Sequence, residues 1–391
     1  MVKLIDITGK ALSGEWGLDD DTGDGIPVLR TTNFTNEGTV NFSNVVTRKI
    51  NKKDLSKKYL RKGDIIIEKS GGSDEQPVGR VIFFDGDENK YLFNNFTGLL
   101  RVSDQSKWLP KYVFYALFSN YIQGGTRPFE NKTTGLHNLK TDSYVESFEI
   151  KAIPLGEQRI TVNQLDRVNE LISLRKQQLS KLDELVKARF VELFGDFIQR
   201  SNKVFLEEIS DFVTVGIANS ATHAYADSGI VMLRNQNIKE NYLDENDLIY
   251  ITPDFAKKYG SKQLAENDIL VIRTGYPGVA CLVPKKYKGC QTFTTLIVRL
   301  KDVTQAHANY VCYYINSSFG KDYVEQSKVG VAQQNFGAKA LAKMPIAVPP
   351  VELQKQFAAF VEQTDKSKLT VQQSLDKLEI LKKALMQKYF G

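Results

Sequence analysis

The sequence predicts an α+β protein. Two tandem-repeated globular domains are expected, separated by a pair of long antiparallel coiled-coil-like helices, the whole pseudo-two-fold symmetric. Three features predict this: a series of segments that recurs about 200 residues later, short β-branched runs inside each repeat, and a long charged-and-apolar stretch that closes each repeat.

The recurrence runs from end to end. VKLIDIT at Val2–Thr8 matches VFLEEIS at Val204–Ser210, and LRTTNF from Leu29 matches LRNQNI from Leu233. GDIIIEKSG from Gly63 matches NDILVIRTG from Asn267, FTGLL from Phe96 matches FTTLI from Phe293, and YVFYAL from Tyr112 matches YVCYYI from Tyr310. PLGEQR from Pro154 then meets PVELQK from Pro350, and Phe194-Gly195 meets Phe390-Gly391. One such match arises easily by chance between apolar strands. Seven in the same order, with offsets that drift only between 196 and 204 residues, mark a duplication.

Within each repeat, IIIEK and ILVIR read as buried strands, and KYVFYALFSNYI reads as a short helix packed on the sheet. Asp24-Gly25, Gly71-Gly72 and Asp85-Gly86 read as turns. After Pro154 the pattern changes, with no proline or internal glycine from Gly156 to Phe194. Leu165, Ile172, Leu179, Val186 and Leu193 recur every seven residues, with Val168 and Leu182 between them, which predicts a coiled-coil-like helix. The second copy carries Val361, Val371, Leu375, Leu378, Leu381 and Leu385 in the same charged surround. Each helix either lies on its own domain or pairs with the other; pairing covers both seams.

Composition narrows the function. A hydrophobic content of 42% and a charged content of 25% suit packed domains rather than disorder. No run approaches the ~20 apolar residues of a membrane span, and MVKLIDITGK lacks a signal-peptide apolar run. Three cysteines, Cys281, Cys290 and Cys312, fit a reduced compartment, so the cytoplasm is expected and no membrane partner. His137, His223 and His307 are far apart, no CxxC or HExxH pair occurs, and no phosphate-binding GxxxxGK[ST] loop occurs. VPPVE at Val348 lacks the residues that flank a DNA methyltransferase's diproline loop and reads as a turn into a helix. No catalytic residue, metal site or cofactor is expected. The net charge of +6 permits nucleic-acid binding without requiring it.

The candidates for ligand contact sit on loops. Arg30, Thr31 and Asn33 in the first repeat, and Arg234, Asn235, Gln236 and Asn237 in the second, are types that hydrogen-bond base edges: Arg to guanine, Asn or Gln to adenine. The plainer reading is a turn that uses Asn for its backbone tolerance. Lys69 and Ser70 after the first strand, and Arg273, Thr274 and Tyr276 after the second, suit phosphate contact; a glycine turn with solvated charges accounts for them equally well. Arg80 follows the first of these loops. Two further loops precede the long helices: Gly124–Lys140 with Arg127, Lys132, His137 and Asn138, and Lys328–Lys339 with Gln333, Gln334 and Asn335.

The duplicated domain-helix plan, the GDIII…SGG and NDILV…RTG strand ends, and the IPLGEQR and PPVELQK turns into long helices resemble the specificity (S) subunits of Type I restriction–modification enzymes. The resemblance covers essentially the whole chain. It implies target-recognition domains at 1–153 and 199–348 and spacer helices at 154–198 and 349–391. It also implies double-stranded DNA as ligand, read as a bipartite target with a fixed-length gap. Two methyltransferase (M) subunits would dock on the spacer helices and domains, with restriction (R) subunits joining through them. The alternative is a non-catalytic bivalent scaffold that binds proteins through the same loops.

Overall fold

The computed structural model describes every residue except 53, 134–135, 219–220, 302–304 and 329–334, and the side chains of 132, 133 and 136. The chain forms two compact units: Met1–Lys176 with Gln373–Gly391, and Gln177–Gln372.

In the first unit the strand Ile65–Glu68 is central to a four-stranded antiparallel sheet ordered Leu12–Ser13, Thr97–Leu100, Ile65–Glu68, Val81–Phe83. Its side chains alternate between two cores. Ile65 and Ile67 pack with Tyr112, Val113 and Leu117 of the helix Pro110–Ile122, whereas Ile66 packs with Leu29, Phe34 and Phe93 beside a second sheet. A strand covered on both faces has no solvent side to fill with polar residues, hence the apolar run Ile65–Ile67 ahead of the buried Glu68. The second sheet is ordered Leu18–Asp19, Val46–Lys49, Ile26–Leu29, Leu92–Phe93, with the last pair parallel.

The second unit repeats this plan. Its strand Ile269–Val271 sends Ile269 and Val271 to one core and Leu270 to another, in a sheet ordered Ser210–Val215, Leu296–Leu300, Ile269–Val271, Ala280–Leu282. A second sheet again ends in a parallel pair, Ile230–Leu233 with Gln291–Thr292. The repeated openings form matching two-stranded pairs, Val2–Lys3 with Glu149–Ile150 and Lys203–Phe205 with Pro345–Ala347.

The long helices run Leu155–Arg200 and Val351–Phe390, so the first extends about 69 Å at 1.5 Å per residue. Each helix contributes to both units, and in each unit the two run antiparallel. In the first unit Gln164 meets Tyr389 and Arg175 Nε donates to Ser374 Oγ at 3.3 Å. In the second, Asp183 pairs with Lys368, while Phe190 and Phe194 pack on Phe357 with ring centroids 5.5 and 5.6 Å apart. The helices also lie on their own domains: Val162, Leu165 and Met386 join the core around Tyr112, and Phe194 stacks edge-on against Tyr310 at 4.7 Å. Pairing and domain contact therefore coexist. Leu165, Ile172 and Val186 of the expected seam are buried, but beyond Val186 the buried stripe moves from Leu193 to Phe190, Phe194 and Ile198, which face the domain core. Leu381, expected on the seam, is 44% exposed; one position on, Lys382 lies over the Phe118 ring, 5.4 Å from its centroid.

The turn expected at Gly71-Gly72 is instead part of a short strand, Ser70–Gly72. Glycine is required there by close approach, since a Cβ on Gly72 would lie 2.4 Å from the Val78 backbone nitrogen.

Each long helix is fastened to its domain by one fully buried glutamine. Gln158 Oε1 accepts from the Leu109 amide at 2.8 Å, and its Nε2 donates to the carbonyls of Lys107 and Ile153. Gln354 repeats this with the His307 amide and the carbonyls of Gln305 and Pro349. Replacing Gln158 by Leu strands these buried groups at about 1–3 kcal/mol each. Denaturant titration of Gln158→Leu is expected to show a loss of at least about 2 kcal/mol; an unchanged midpoint contradicts the latch.

His307 adds a pH dependence. Its Nδ1 accepts from the Asn309 amide at 3.3 Å, capping the helix Ala308–Asn316. Burial, then the charge of Lys355, holds its pKa below the ordinary 6.5. The unfolded chain therefore takes up the proton first on acidification. The stability supplied by the neutral ring is present above pH 6.5 and declines as pH falls below it. Thermal melts between pH 7.5 and about 5 should show this decline, and His307→Asn, which keeps a capping acceptor without a titrating ring, should flatten it.

Candidate nucleic-acid interface

Both units build the same small loop, beginning with Arg30 or Arg234, after the strand that ends at Leu29 or Leu233. In the first, Asn33 Oδ1 accepts from the Arg30 amide at 2.9 Å while its Nδ2 donates to the carbonyls of Asn41 and Asn44. In the second, Asn237 Oδ1 accepts from the Arg234 amide at 3.0 Å and its Nδ2 donates to the carbonyls of Asp244 and Asn246. Both carboxamides are buried, at 2% and 1% exposure. This corrects the expectation that Asn33 and Asn237 meet base edges: their donors and acceptors are consumed in shaping the loop. The exposed parts are Thr32 in one copy and Gln236 in the other. Gln236 Nε2 donates to the Asp247 carboxylate at 2.6 Å, and that carboxylate also pairs with Arg234 at 3.1 Å. Arg30 reaches the Asn44 carbonyl at 3.3 Å.

A second group gathers around the loop after the central strand. In the first unit the strand Ser70–Gly72 pairs with Leu136–Leu139, which pairs with Glu130–Thr133, so Ser70 sits opposite Asn138 and Gly72 opposite His137. Nothing in the linear chain joins these segments, which are some 65 residues apart. Arg127 donates to the Asp74 carbonyl at 3.4 Å, and buried His137 lies 3.2 Å from the Glu130 carboxylate and 3.8 Å from that of Asp74. Ser70, Arg127, His137 and Asn138 thus belong to one cluster. Lys132 lies in the adjoining strand, with its side chain outside the described ones. Lys69 alternates to the other side and donates to Ser13 Oγ at 3.0 Å; burial pulls its pKa down.

Arg80 departs further from expectation. Its guanidinium points inward, donating to the carbonyls of Thr31 at 2.9 Å and Phe34 at 3.3 Å, with the buried Glu68 carboxylate 3.5 Å away. It is a brace on the Arg30–Asn33 loop rather than an exposed cation, and it links the two groups of candidates.

In the second unit Thr274 forms a bridge with Asn335, and Arg273 Nε donates to the Asn335 side chain at 3.0 Å. Asn235 donates to Thr274, so this loop too is tied to the one after the strand. Tyr276 is 82% exposed, between Gly275 at φ +86° and Pro277. Gln333 and Gln334 lie outside the described residues. Asp247 and Glu68 were missed from sequence. The correspondence of Asn41 and Asn44 with Asp244 and Asp247, three residues apart in both copies, was the available signal for the first. Among the described residues no group of His, Cys, Asp and Glu could hold a metal, and no helix is long and apolar enough to cross a membrane.

Two copies of an α+β domain, each with a Gln-latched long helix and a braced polar loop pair, define a tandem specificity-domain protein. The family of Type I restriction modification DNA specificity domains matches residues 2–184 and again 200–380, and the chain belongs to it. It is a specificity subunit of the Type I restriction–modification kind, a non-catalytic component for DNA sequence recognition. It is 23% identical over 355 residues to the type I restriction enzyme MjaX specificity subunit of Methanocaldococcus jannaschii, covering 86% of this chain and 80% of that one. It is 32% identical over 106 residues to the EcoEI specificity subunit of Escherichia coli, covering 26% and 18%. In fold it is similar to a chain from a study of type I R-M complex assembly and conformational transition (TM-score 0.58, 16% identity, 100% and 96% covered). It is likewise similar to the S subunit of a type-I restriction-modification system from M. genitalium (TM-score 0.57, 15% identity, 100% and 95% covered).

The contrast between spent and exposed side chains is measurable. Asn237→Ala should destabilise by about 1–3 kcal/mol, because it strands buried backbone groups. Tyr276→Ala should stay within about 0.5 kcal/mol. Equal losses in denaturant titrations would refute this assignment.

Proposed function

We propose that the chain reads a bipartite double-stranded DNA target, one short block per recognition domain, across a non-specific gap of fixed length. The recognition domains are residues 1–153 and 199–348, and the spacer helices 154–198 and 349–391. The observation that carries this reading is the doubled site: each unit holds an Asn-capped loop tied to the loop after its central strand, and both loops present polar and basic groups suited to phosphates and base edges. Gln236, Thr274, Tyr276, Gln333, Gln334 and Asn335 in the second domain, and Arg30, Thr31, Ser70, Arg127, Lys132 and Asn138 in the first, are the proposed contact residues.

The same reading has the chain bring two methyltransferase subunits, and restriction subunits through them, to that target. The long helices leave Ile160, Leu174, Leu185 and Val191 exposed on one and Leu369, Ile380 and Leu381 on the other, apolar groups suited to a protein partner.

Methylome sequencing of cells carrying the chain with its methyltransferase partner should yield two short blocks around one gap length. A single continuous motif would overturn the proposal. Four residues inserted after the exposed Ser180 add about 6 Å of helix, close to two base pairs. Selection from DNA of randomised gap should then recover both blocks at a shifted spacing. An unchanged gap in a folded variant assigns the spacing to the partners instead. Loss of affinity with rising salt separates DNA reading from a protein scaffold, which lacks that slope.

A further inference from the structure

The two copies differ at a largely buried pair beside the proposed reading loop. In the first, strands Ile65–Glu68 and Val81–Phe83 are antiparallel, and the Glu68 amide donates to the Arg80 carbonyl at 2.8 Å. In the second, Ile269–Val271 and Ala280–Leu282 make the same hairpin, and the Ile272 amide donates to the Val279 carbonyl at 2.8 Å. Glu68 therefore stands where the second copy has Ile272, and Arg80 where it has Val279. Stability alone does not account for the exchange, because buried ion pairs rarely outperform packed aliphatics of similar volume. The geometry does account for it. Glu68 is 4% exposed, and the guanidinium beside it forks to the carbonyls of Thr31 and Phe34 while lying 5.5 Å above the Phe34 ring. The second copy has no cation at this position and ties its loop through Asn235 and Thr274 instead.

We propose that Arg80, oriented by Glu68, is a positioning residue for the first domain's reading loop, so that recognition of one half-site depends on an internal ionic brace which the other half-site does without. The inference rests on the proposed DNA-reading function. Burial pushes the Glu68 carboxyl up and Arg80 opposes that shift, consistent with mutual dependence of the pair.

The test transplants the second copy's own solution. The double variant Glu68→Ile with Arg80→Val, and the single variant Arg80→Lys, are made in the full chain with its methyltransferase partner. Lys keeps the charge but puts a single compact ammonium in place of the planar fork whose two nitrogens reach the two carbonyls. Binding is measured to the full target and to targets altered in one half-site at a time, across a range of salt. Both variants are expected to lose discrimination at the first half-site by about tenfold, the scale of one base pair read poorly. Discrimination at the second half-site should be unchanged, and because that half-site reports on the second unit alone, circular dichroism and a denaturant titration of each variant serve as the folding control. The slope of log affinity against log salt should not move. Retained discrimination at the first half-site overturns the brace. A slope reduced by about 0.9 in the double variant overturns it differently, by showing that Arg80 itself neutralises a phosphate. If the double variant does not fold, Arg80→Lys alone decides the matter by the same criteria. If the unmutated chain discriminates at neither half-site, the DNA-reading proposal falls, and this one with it.

Discussion

Gln158 and Gln354 are the joints on which this architecture depends. Each carboxamide sits at the first turn of a long helix, fully buried, and satisfies one amide and two carbonyls drawn from two other segments. One segment is the turn into the long helix; the other leads into the domain's own packed helix, Pro110–Ile122 or Ala308–Asn316. In a low-dielectric setting such a network is worth more than a solvated one and costs more to break, so the angle at which the helix leaves the domain is strongly determined. Tyr112 and Tyr310 reinforce it by donating to the carbonyls of Lys151 and Ala347 in the strand region just before each turn.

The loops proposed to read DNA inherit their rigidity from a different source. The central strand of each unit is shared by two cores, which leaves its end no freedom to shift without disturbing both. Partly exposed arginines pair with buried carboxylates at its start in both units: Arg101 with Asp64 at 2.6 Å, and Arg299 with Asp268 at 2.7 Å. Loops on such a frame can vary in sequence without loss of fold. The Arg80–Glu68 brace and the Asn235–Thr274 tie are two chemical answers to one requirement, a loop held still against its neighbour. A loop fixed before it meets its ligand loses less conformational entropy on binding.

Much of this was legible in the linear chain, and for identifiable reasons. The duplication shows because both copies must rebuild the same cores, so IIIEK and ILVIR or PLGEQR and PVELQK survive as recognisable pairs. The long helices show because an uninterrupted apolar period needs no tertiary information. The seam was less legible toward Phe190 and Phe194, where the helix leaves its heptad to lie on the domain, and at Leu381, which the period placed inside and the packing left outside. The candidate site was legible as a set of loops but not as a set of contacts. Arg30 and Asn33 look alike as ligand groups in sequence, yet Asn33 is consumed by backbone groups some 8 to 11 residues away.

The sequence by itself determined the repeat, the α+β domain, the long helices and the loops that could bear recognition, since these follow from local periodicity and from comparing one half of the chain with the other. Only the tertiary structure decided which polar side chains remain for a ligand. Whether Asn237 or Arg80 turns inward depends on backbone groups brought from other segments, a carbonyl at Asn246 for one and a carbonyl at Thr31 for the other, whereas the Tyr276 ring is left to solvent. A polar side chain's destination is set by which unsatisfied groups the fold places beside it, and that information lies in the packing.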